Sequence, residues 1–263
     1  MRRLSFKRDG LRLSYLDAGG DGHALIALHS HWLEASTFEA LAEAMAPEWR
    51  VIALDQRGHG YSDHALSYTR NDYLEDLRAF FAHLKLNEAV VLGNSLGGVN
   101  AYQFAARHPA LVQGLIIEDI GVEIADDTSF AMAWEGTFPT QAELTERIGQ
   151  RFLPYLRNSI REEPGGWRLA FEPREMVSSQ SYINGNHWDD WLASSCPVLL
   201  LRGKQSRVTD QQHMELMAAR RPNTRLSCLE GGHVLHMDSP EAFTEIVKVF
   251  LNEIIPQARL NGR

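Results

Sequence analysis

A serine flanked by small residues stands where a predicted strand meets a predicted helix. The run 89–93 is apolar and short, as a buried strand is, and small and apolar residues fill Leu96–Arg107. The junction, Gly93-Asn94-Ser95-Leu96-Gly97, fits G-x-S-x-G. A serine at such a sharp turn has a strained backbone, and the glycine on either side lets the turn close. The turn projects the Ser95 hydroxyl above the sheet and points a helix N-terminus at it, which favours developing negative charge.

A nucleophilic serine needs a base, because its hydroxyl is unreactive at neutral pH. The chain has 11 histidines, and the best placed is His233, which follows Gly231-Gly232 directly after the last predicted strand. In a sheet built from the predicted strands, the last strand ends close to the turn that carries Ser95. His236, three residues further on, is the rival, and we expect it to pack locally or to line the start of the next segment.

Short apolar runs alternate with segments of helical period, which predicts an α/β fold with a mainly parallel sheet covered on both faces. Runs that are apolar throughout, such as 198–201, are typical of strands buried on both faces. An apolar stripe from Tyr73 to Leu84 predicts a helix, as do Leu96–Arg107 and the segment that Pro240 opens. The predicted strands are 11–16, 24–29, 51–55, 89–93, 114–119, 198–202 and 225–229.

The stretch 121–195 interrupts this alternation. It holds most of the six tryptophans, namely Trp134, Trp167, Trp188 and Trp191. We predict that 121–195 is a mostly helical lid over the C-terminal edge of the sheet, where open α/β sheets bind ligands. The core would then comprise 1–120 and 196–263. The aromatic residues either contact substrate or form only the small core of the lid, and the sequence leaves both open.

Motifs in a fixed order, each at a predicted strand end, resemble the landmarks of the α/β-hydrolase superfamily. They are Leu-His-Ser-His at 28–31, Asp-Gln-Arg-Gly-His-Gly-Tyr-Ser-Asp at 55–63, Gly-Asn-Ser-Leu-Gly-Gly at 93–98, and Gly-His-Val-Leu-His-Met-Asp-Ser-Pro-Glu at 232–241. The resemblance covers nearly the whole chain and is weakest in 121–195. It implies that Ser95 is the nucleophile, that His233 is the base, and that Asp55, Arg57 and Asp63 belong to the scaffold. We therefore expect a mostly parallel eight-stranded sheet flanked by helices, with the lid inserted after the sixth strand.

The acid that orients the histidine departs from the usual family pattern. That pattern is G-x-x-D after the strand 198–202, but here Gly203 is followed by Lys-Gln-Ser, and Asp210 comes seven residues after the glycine. Either Asp210 reaches back through a longer loop, or the acid is Asp119 at the end of the preceding strand. Glu118, its neighbour, should point to the opposite face because side chains alternate along a strand.

We favour Asp119 on the basis of the resemblance. Some members carry their acid at that position, including haloalkane dehalogenases with a glutamate and a group of small esterases with an aspartate. Those esterases often have a serine at the usual acid position, as Ser206 is here, and their spacing is similar to the 24 residues from Ser95 to Asp119. A role for Asp119 in capping a helix or bracing a loop stays open.

The oxyanion hole needs two backbone N–H groups aimed at the developing charge. One should come from Leu96, the residue after the nucleophile. By resemblance the other comes from His31, although Ser30 stands where the family usually has glycine. We also expect the side chains of His31 and Trp32 to face the substrate, together with three further residues, Trp134, Phe138 and His236.

Composition argues against several other functions. The chain has 34 acidic and 26 basic residues, a net charge of −8, and no basic run. It therefore lacks the clustered positive charge that is typical of a protein that binds nucleic acid or anionic lipid. Charged residues follow the N-terminus where a signal peptide is apolar, and no run approaches the ~18 residues of a membrane span. Two cysteines, Cys196 and Cys228, make no disulfide framework. We predict a soluble, cytoplasmic protein.

No cofactor or metal is expected. Phosphate-binding glycine motifs are absent from the sequence. His29 and His31 form an H-x-H pair, but the Asp-His that continues the zinc-dependent lactamase-type motif is replaced by Leu33-Glu34. The remaining candidate partner is a small-molecule substrate.

The leading hypothesis is a cofactor-free serine hydrolase that cleaves a carboxylic ester, thioester or lactone of an apolar or aromatic small molecule. Serine at position 95 argues against haloalkane dehalogenase or epoxide hydrolase chemistry, because those relatives need an aspartate nucleophile. The turn that carries Ser95 also resembles that of carbon–carbon hydrolases of ring-fission products, although these usually keep the acid of the G-x-x-D pattern. A ligand sensor without turnover is a further alternative, and perhydrolase or haloperoxidase activity would be a side reaction of the same residues. The sequence identifies neither the natural substrate nor the oligomeric state.

Overall fold

One eight-stranded sheet forms the centre of the computed structural model, which describes residues 1–255. Its strands are β1 (Arg2–Arg8), β2 (Leu11–Asp17), β3 (His23–Leu28), β4 (Trp49–Leu54), β5 (Ala89–Asn94), β6 (Val112–Glu118), β11 (Val198–Gly203) and β12 (Thr224–Leu229). Their order across the sheet is β1-β2-β4-β3-β5-β6-β11-β12. β2 pairs antiparallel with both of its neighbours, and all the other pairs are parallel. The predicted mostly parallel eight-stranded sheet is confirmed.

Helices connect the strands and cover both faces of the sheet. They are α1 (Glu39–Met45), α2 (Arg70–Leu84), α3 (Leu96–Arg107), α4 (Gln141–Ile148), α5 (Leu153–Leu156), α6 (Pro173–Ile183), α7 (Trp188–Leu192), α8 (Gln211–Arg220), α9 (Leu235–Asp238) and α10 (Pro240–Ile254). Among residues 1–255, none of these is long and apolar enough to cross a membrane. The predicted segment 196–263 ends in residues 256–263, which lie outside the described residues.

Two apolar clusters lie on opposite faces of the sheet and explain why its strands are apolar on both sides. On one face α2 and α3 pack through residues such as Leu77 and Phe104. On the other, α1 and α10 pack through residues such as Met45 and Phe243. β5 lies between them with all its residues buried, as a central parallel strand should be. The strand that carries Ser95 at its end is therefore held from both sides.

The edge strand β1 was not predicted. Its sequence, Arg-Arg-Leu-Ser-Phe-Lys-Arg, is mostly basic, and only Phe6 is buried, so no apolar run marks it as a strand. Backbone pairing with β2 over seven residue pairs forms it instead. Arg3 extends from this edge to an ion pair of 2.5 Å with the buried Asp55.

The segment 121–195 connects β6 to β11. It contains α4, α5, α6 and α7, but also β7 (Glu123–Ile124) paired with β10 (Gly185–Asn186) and the hairpin of β8 (Ile160–Glu163) and β9 (Gly166–Leu169). The sequence predicted a mostly helical segment and did not indicate these two antiparallel pairs. They are too short and too polar to show as alternating apolar runs. The inner face of the segment includes Trp191, which is fully buried against Tyr102 of α3.

Candidate active site

The turn between β5 and α3 holds Ser95 in a strained backbone conformation, with φ 52° and ψ −113°. Its amide donates to the carbonyl of Glu118 at 3.1 Å, which ties the turn to the neighbouring strand β6. A Cβ at Gly93 would lie 2.1 Å from the carbonyl oxygen of Gly97, and one at Gly97 would lie 2.1 Å from that of Leu28. Only glycine fits at either position, so the spacing in the sequence reflects close backbone approach.

Ser95 lines a cavity of about 500 Å³. The cavity lies at the C-terminal edge of the sheet, since its core residues follow β3, β5, β11 and β12, and residues of the 121–195 segment form the remaining wall. Open α/β sheets bind ligands at this edge. His233 lines the same cavity, so folding brings the predicted nucleophile and the predicted base to one site.

Asp119 lies against His233, with 2.7 Å between Asp119 Oδ2 and His233 Nδ1. The carboxylate is fully buried, and three other groups donate to it: the Gly203 amide at 3.1 Å, Ser206 Oγ at 2.5 Å and Thr209 Oγ1 at 2.8 Å. Four donors hold the carboxylate in one orientation. Among the described residues His233 Nε2 has no partner, so this atom is available to a hydroxyl in the cavity.

Asp210, the alternative acid, has a different local role. Its side chain accepts a hydrogen bond of 3.1 Å from the His213 amide at the start of α8, which is the N-cap interaction. Among residues 1–255 it makes no contact with His233. Ser206, noted in the sequence for standing at the usual acid position, and Thr209, which no motif indicated, lie in the loop after β11 and donate to Asp119.

A second carboxylate–histidine pair lies beside the first. Glu118 accepts from the His236 backbone amide at 3.0 Å and contacts His236 Nδ1 at 2.8 Å, and both side chains are almost completely buried. The ring of His236 stacks on Phe38 with 4.3 Å between centroids. Asn94 Nδ2 donates to the carbonyl of His233 at 2.9 Å. The chain is therefore fixed at His233 and again three residues later at His236.

The loop after β3 brings His31 to the cavity. Among the described residues, neither the His31 N–H nor the Leu96 N–H has a hydrogen-bond acceptor, as is required of oxyanion-hole donors. His31 Nε2 lies 2.9 Å from Ser179 Oγ on α6. Burial lowers the pKa of His31 well below its usual range, and the nearby positive charge of Arg70 adds to the effect. The ring is consequently neutral at neutral pH.

Aromatic side chains form an apolar wall of the cavity. Trp32, which the sequence analysis expected to face the substrate, lines it. Phe130 and Phe152 line it as well, with ring centroids 5.5 and 6.0 Å from that of Trp32. The sequence showed both phenylalanines as part of an aromatic segment, but which rings face the cavity depends on the packing of that segment.

Three residues expected to contact substrate lie elsewhere. Trp134 is buried behind the wall, 5.5 Å from Trp32 between ring centroids. Phe138 forms a β-bridge with Trp167, with both backbone hydrogen bonds at 2.7 Å. His236 is buried against Glu118. Each is held by a partner within the fold, and none lines the cavity.

Comparison with known proteins assigns the family. A family model described as "Alpha/beta hydrolase family" matches residues 19–246. The chain belongs to the alpha/beta hydrolase family. The hydrolase is 24% identical over 240 residues to a putative esterase/lipase of Haemophilus influenzae, covering 87% of this chain and 83% of that protein. It is 26% identical over 250 residues to a 2-(acetamidomethylene)succinate hydrolase of Mesorhizobium japonicum, covering 89% of each.

A solved structure has the same fold as this hydrolase. The crystal structure of E-2-(acetamidomethylene)succinate hydrolase matches with a TM-score of 0.85 at 22% identity, over 95% of this chain and 100% of that one. The family and fold class predicted from the sequence are confirmed by these matches together with the sheet order.

Charged and polar groups complete the cavity of the hydrolase. Asp126, Arg151 and Arg207 line it from separate loops, so its charged groups are of both signs. Burial raises the pKa of Asp126, and the nearby His233 opposes that shift. Thr128 contributes a buried hydroxyl without a partner among the described residues. The lining of the cavity therefore combines aromatic rings with polar and charged groups.

Metal ligation is not built into the described residues of the hydrolase. Within 1–255, no three His, Cys, Asp or Glu side chains are grouped so as to hold a metal ion. In the H-x-H pair, His29 already uses both ring nitrogens, with Nδ1 at 2.7 Å from the carbonyl of Ser30 and Nε2 at 3.0 Å from the amide of Gln56. His31 is engaged with Ser179 on α6.

Proposed function

We propose that this hydrolase cleaves carboxylic esters, thioesters or lactones of apolar or aromatic small molecules through an acyl-enzyme on Ser95. The observation that carries the proposal is the 2.7 Å contact between His233 Nδ1 and the buried Asp119, at the cavity that Ser95 also lines. A serine, a histidine and a carboxylate in that order are the groups needed to activate a hydroxyl at neutral pH.

Acylation begins when Ser95 Oγ attacks the acyl carbonyl and His233 Nε2 takes the hydroxyl proton. Asp119 holds the ring in the tautomer with a proton on Nδ1 and stabilises the imidazolium that forms. The imidazolium then gives its proton to the leaving alcohol or thiol, and the acyl group stays on Ser95. Water, activated by the same histidine, releases the acid and restores the serine.

The negative charge that develops on the carbonyl oxygen needs donors fixed in advance. The N–H groups of His31 and Leu96 take this role, which their lack of any acceptor among the described residues supports. The N-terminus of α3, which begins at Leu96, adds a favourable dipole at the same place.

The aromatic wall favours an apolar or aromatic group on the substrate. Trp32, Phe130 and Phe152 offer edge-to-face and stacked contacts to such a group. We also propose that the 121–195 segment acts as a lid, because it supplies both phenylalanines and, with them, one side of the cavity. The name of the Haemophilus relative, a putative esterase/lipase, supports the ester-cleaving form of the proposal.

A second candidate substrate type comes from the Mesorhizobium relative, whose name denotes hydrolysis of 2-(acetamidomethylene)succinate. That similarity favours testing substrates other than simple esters, including the carbon–carbon substrates that the elbow motif suggests. The same three side chains would serve, since the nucleophile and base do not depend on the leaving group.

Turnover of a panel of p-nitrophenyl esters and acyl-CoA thioesters, together with labelling by a fluorophosphonate, tests the proposal. We expect wild-type protein to be labelled and to hydrolyse at least one member of the panel, with Ser95→Ala losing both. Ser178→Ala is the matched control, since Ser178 is exposed on α6. Labelling without turnover of any ester or thioester would instead favour the other substrates or a ligand sensor. Unchanged turnover in Ser95→Ala would contradict the proposal.

A further inference from the structure

The loop 29–36 follows β3 and includes the first residues of the 3-10 helix Ala35–Phe38. His29 is bonded to Gln56 and the Ala35 amide to Asp55, both in the core. Among the described residues, the other side-chain bonds that reach beyond 29–38 go to the 121–195 segment.

Ser179 on α6 contacts His31 at 2.9 Å, and Ser159 Oγ donates to the carbonyl of Trp32 at 2.9 Å. These two serines are fully buried, so neither bond competes with water. One contact holds the His31 ring and the other the Trp32 carbonyl, and they come from two different elements of the segment.

Further contacts from the segment continue along the loop. Arg161 of β8 forms an ion pair of 2.5 Å with Glu34, whose carboxylate is buried. Asn158 Nδ2 donates to Ser36 Oγ at 3.0 Å. Within the described residues, every hydrogen bond that His31, Trp32 and Glu34 make beyond 29–38 goes to the 121–195 segment. The sheet and the core helices supply none of them.

The backbone of this loop needs such support. Trp32 has φ 69°, a left-handed conformation that is unfavourable for a residue with a bulky side chain. Strained residues keep their conformation only when the surrounding structure holds them there, and they concentrate at active sites. Here the bond from Ser159 and the rings of Phe130, Trp134 and Phe152 hold Trp32 from the side of the segment.

We propose that the 121–195 segment holds the 29–36 loop in the shape that aims the His31 N–H into the oxyanion hole. Ser179 and Ser159 are then positioning residues, which act on the reaction through His31 and Trp32 without touching the substrate. This inference rests on the proposed function. It makes the segment a part of the catalytic machinery as well as a wall of the cavity.

A distinct kinetic pattern follows, because an oxyanion hole stabilises the transition state more than the bound ester. Ser179→Ala should lower kcat by about 10- to 100-fold with KM changed by less than about threefold. Affinity for an aryl trifluoromethyl ketone, which forms a tetrahedral alkoxide on Ser95, should fall by a similar factor. Ser159→Ala is the second variant and should show the same pattern. If one of the two variants does not fold, the other still tests the proposal.

Two matched variants separate positioning from general damage. Tyr73→Phe removes the other hydroxyl that contacts Ser179 Oγ, at 2.9 Å, but leaves the bond to His31, and it should retain most of the activity. Ser178→Ala, exposed on the same helix, should match wild type. Thermal midpoints of all variants show whether each is folded at the assay temperature.

Two results would overturn the inference while the proposed function stands. One is wild-type kcat and ketone affinity in both Ser179→Ala and Ser159→Ala. The other is a change confined to KM, which would make these serines part of substrate binding alone. If the wild-type protein neither reacts with a fluorophosphonate nor turns over any ester, the proposed function fails first and the inference fails with it.

Discussion

At the residue scale, one contact distinguishes the two candidates for the acid that orients His233. Asp119 and Asp210 were both open from the sequence, because the loop after β11 has no carboxylate at the usual spacing. In the structure Asp119 lies 2.7 Å from His233, whereas Asp210 caps α8. Ser206 and Thr209 explain how the loop accommodates this arrangement, since their hydroxyls bind the carboxylate.

We predict that Asp119→Asn lowers kcat by about 10²- to 10⁴-fold, because an amide cannot select the histidine tautomer or stabilise the imidazolium as a carboxylate does. Asp210→Asn should retain nearly full activity, since asparagine is also a good N-cap residue. Steady-state kinetics on the best ester of the panel measure both. The reverse order of effects would move the catalytic acid to Asp210.

At the element scale, the 121–195 segment must be joined firmly to the core for its side chains to shape the cavity. Arg221, at the end of α8, is buried and donates to the carbonyls of Trp191 and Cys196 and to Ser194 Oγ. No carboxylate among the described residues pairs with this guanidinium, and burial lowers its pKa. Its hydrogen bonds fix the point where the segment returns to β11.

We predict that Arg221→Ala lowers the free energy of unfolding by about 3 kcal/mol, because the carbonyls of Trp191 and Cys196 lose their donor and a large buried side chain is removed. Urea unfolding monitored by tryptophan fluorescence measures the change. Arg225→Ala is the control, since Arg225 forms an exposed ion pair of 2.6 Å with Glu253 and should cost less than about 1 kcal/mol. Equal losses of unfolding free energy in the two variants would contradict the role given to Arg221 in fixing the segment to the core.

At the scale of the whole molecule, buried neutral histidines link stability to pH. Burial is the largest cause of a lowered pKa at three fully buried rings, to about 3 at His29 and well below the usual range at His31 and His59. The unfolded chain binds protons at these histidines below about pH 6.5 while the folded chain does not. Folding is therefore favoured above that pH, and this contribution is lost as pH falls.

When the pH falls from 7 to 5, we expect proton binding to each of these histidines in the unfolded chain to lower the free energy of unfolding by about 2 kcal/mol. Carboxylates with lowered pKa values, such as Asp17 and Asp72, do not act in this window because they titrate at lower pH. Urea unfolding at the two pH values measures the loss, and His59→Asn should reduce it by the share of one histidine. Equal or greater stability at pH 5 would show that these rings are accessible to protons.

Also at this scale, the sequence predicted the central sheet better than it predicted which residues line the cavity. Regular apolar runs and the G-x-S-x-G turn predicted the sheet, because buried parallel strands need such runs. β1 was missed since it has no apolar run and is held largely by backbone pairing with β2. Trp134 and Phe130 look alike in the sequence, yet one is buried behind Trp32 and the other lines the cavity. That difference depends on how the segment folds back, which no local pattern encodes. The roles of the site residues stay predictions.

The most direct test of the account is whether a covalent intermediate forms on Ser95. Rapid acid quench of the protein with an excess of its best ester, followed by peptide mass spectrometry, would detect it. We predict a mass increase equal to the acyl group on the peptide that contains Ser95, approaching one acyl group per chain wherever deacylation limits turnover. Turnover that continues with no acylated peptide, or with the acyl group on another residue, would contradict the account.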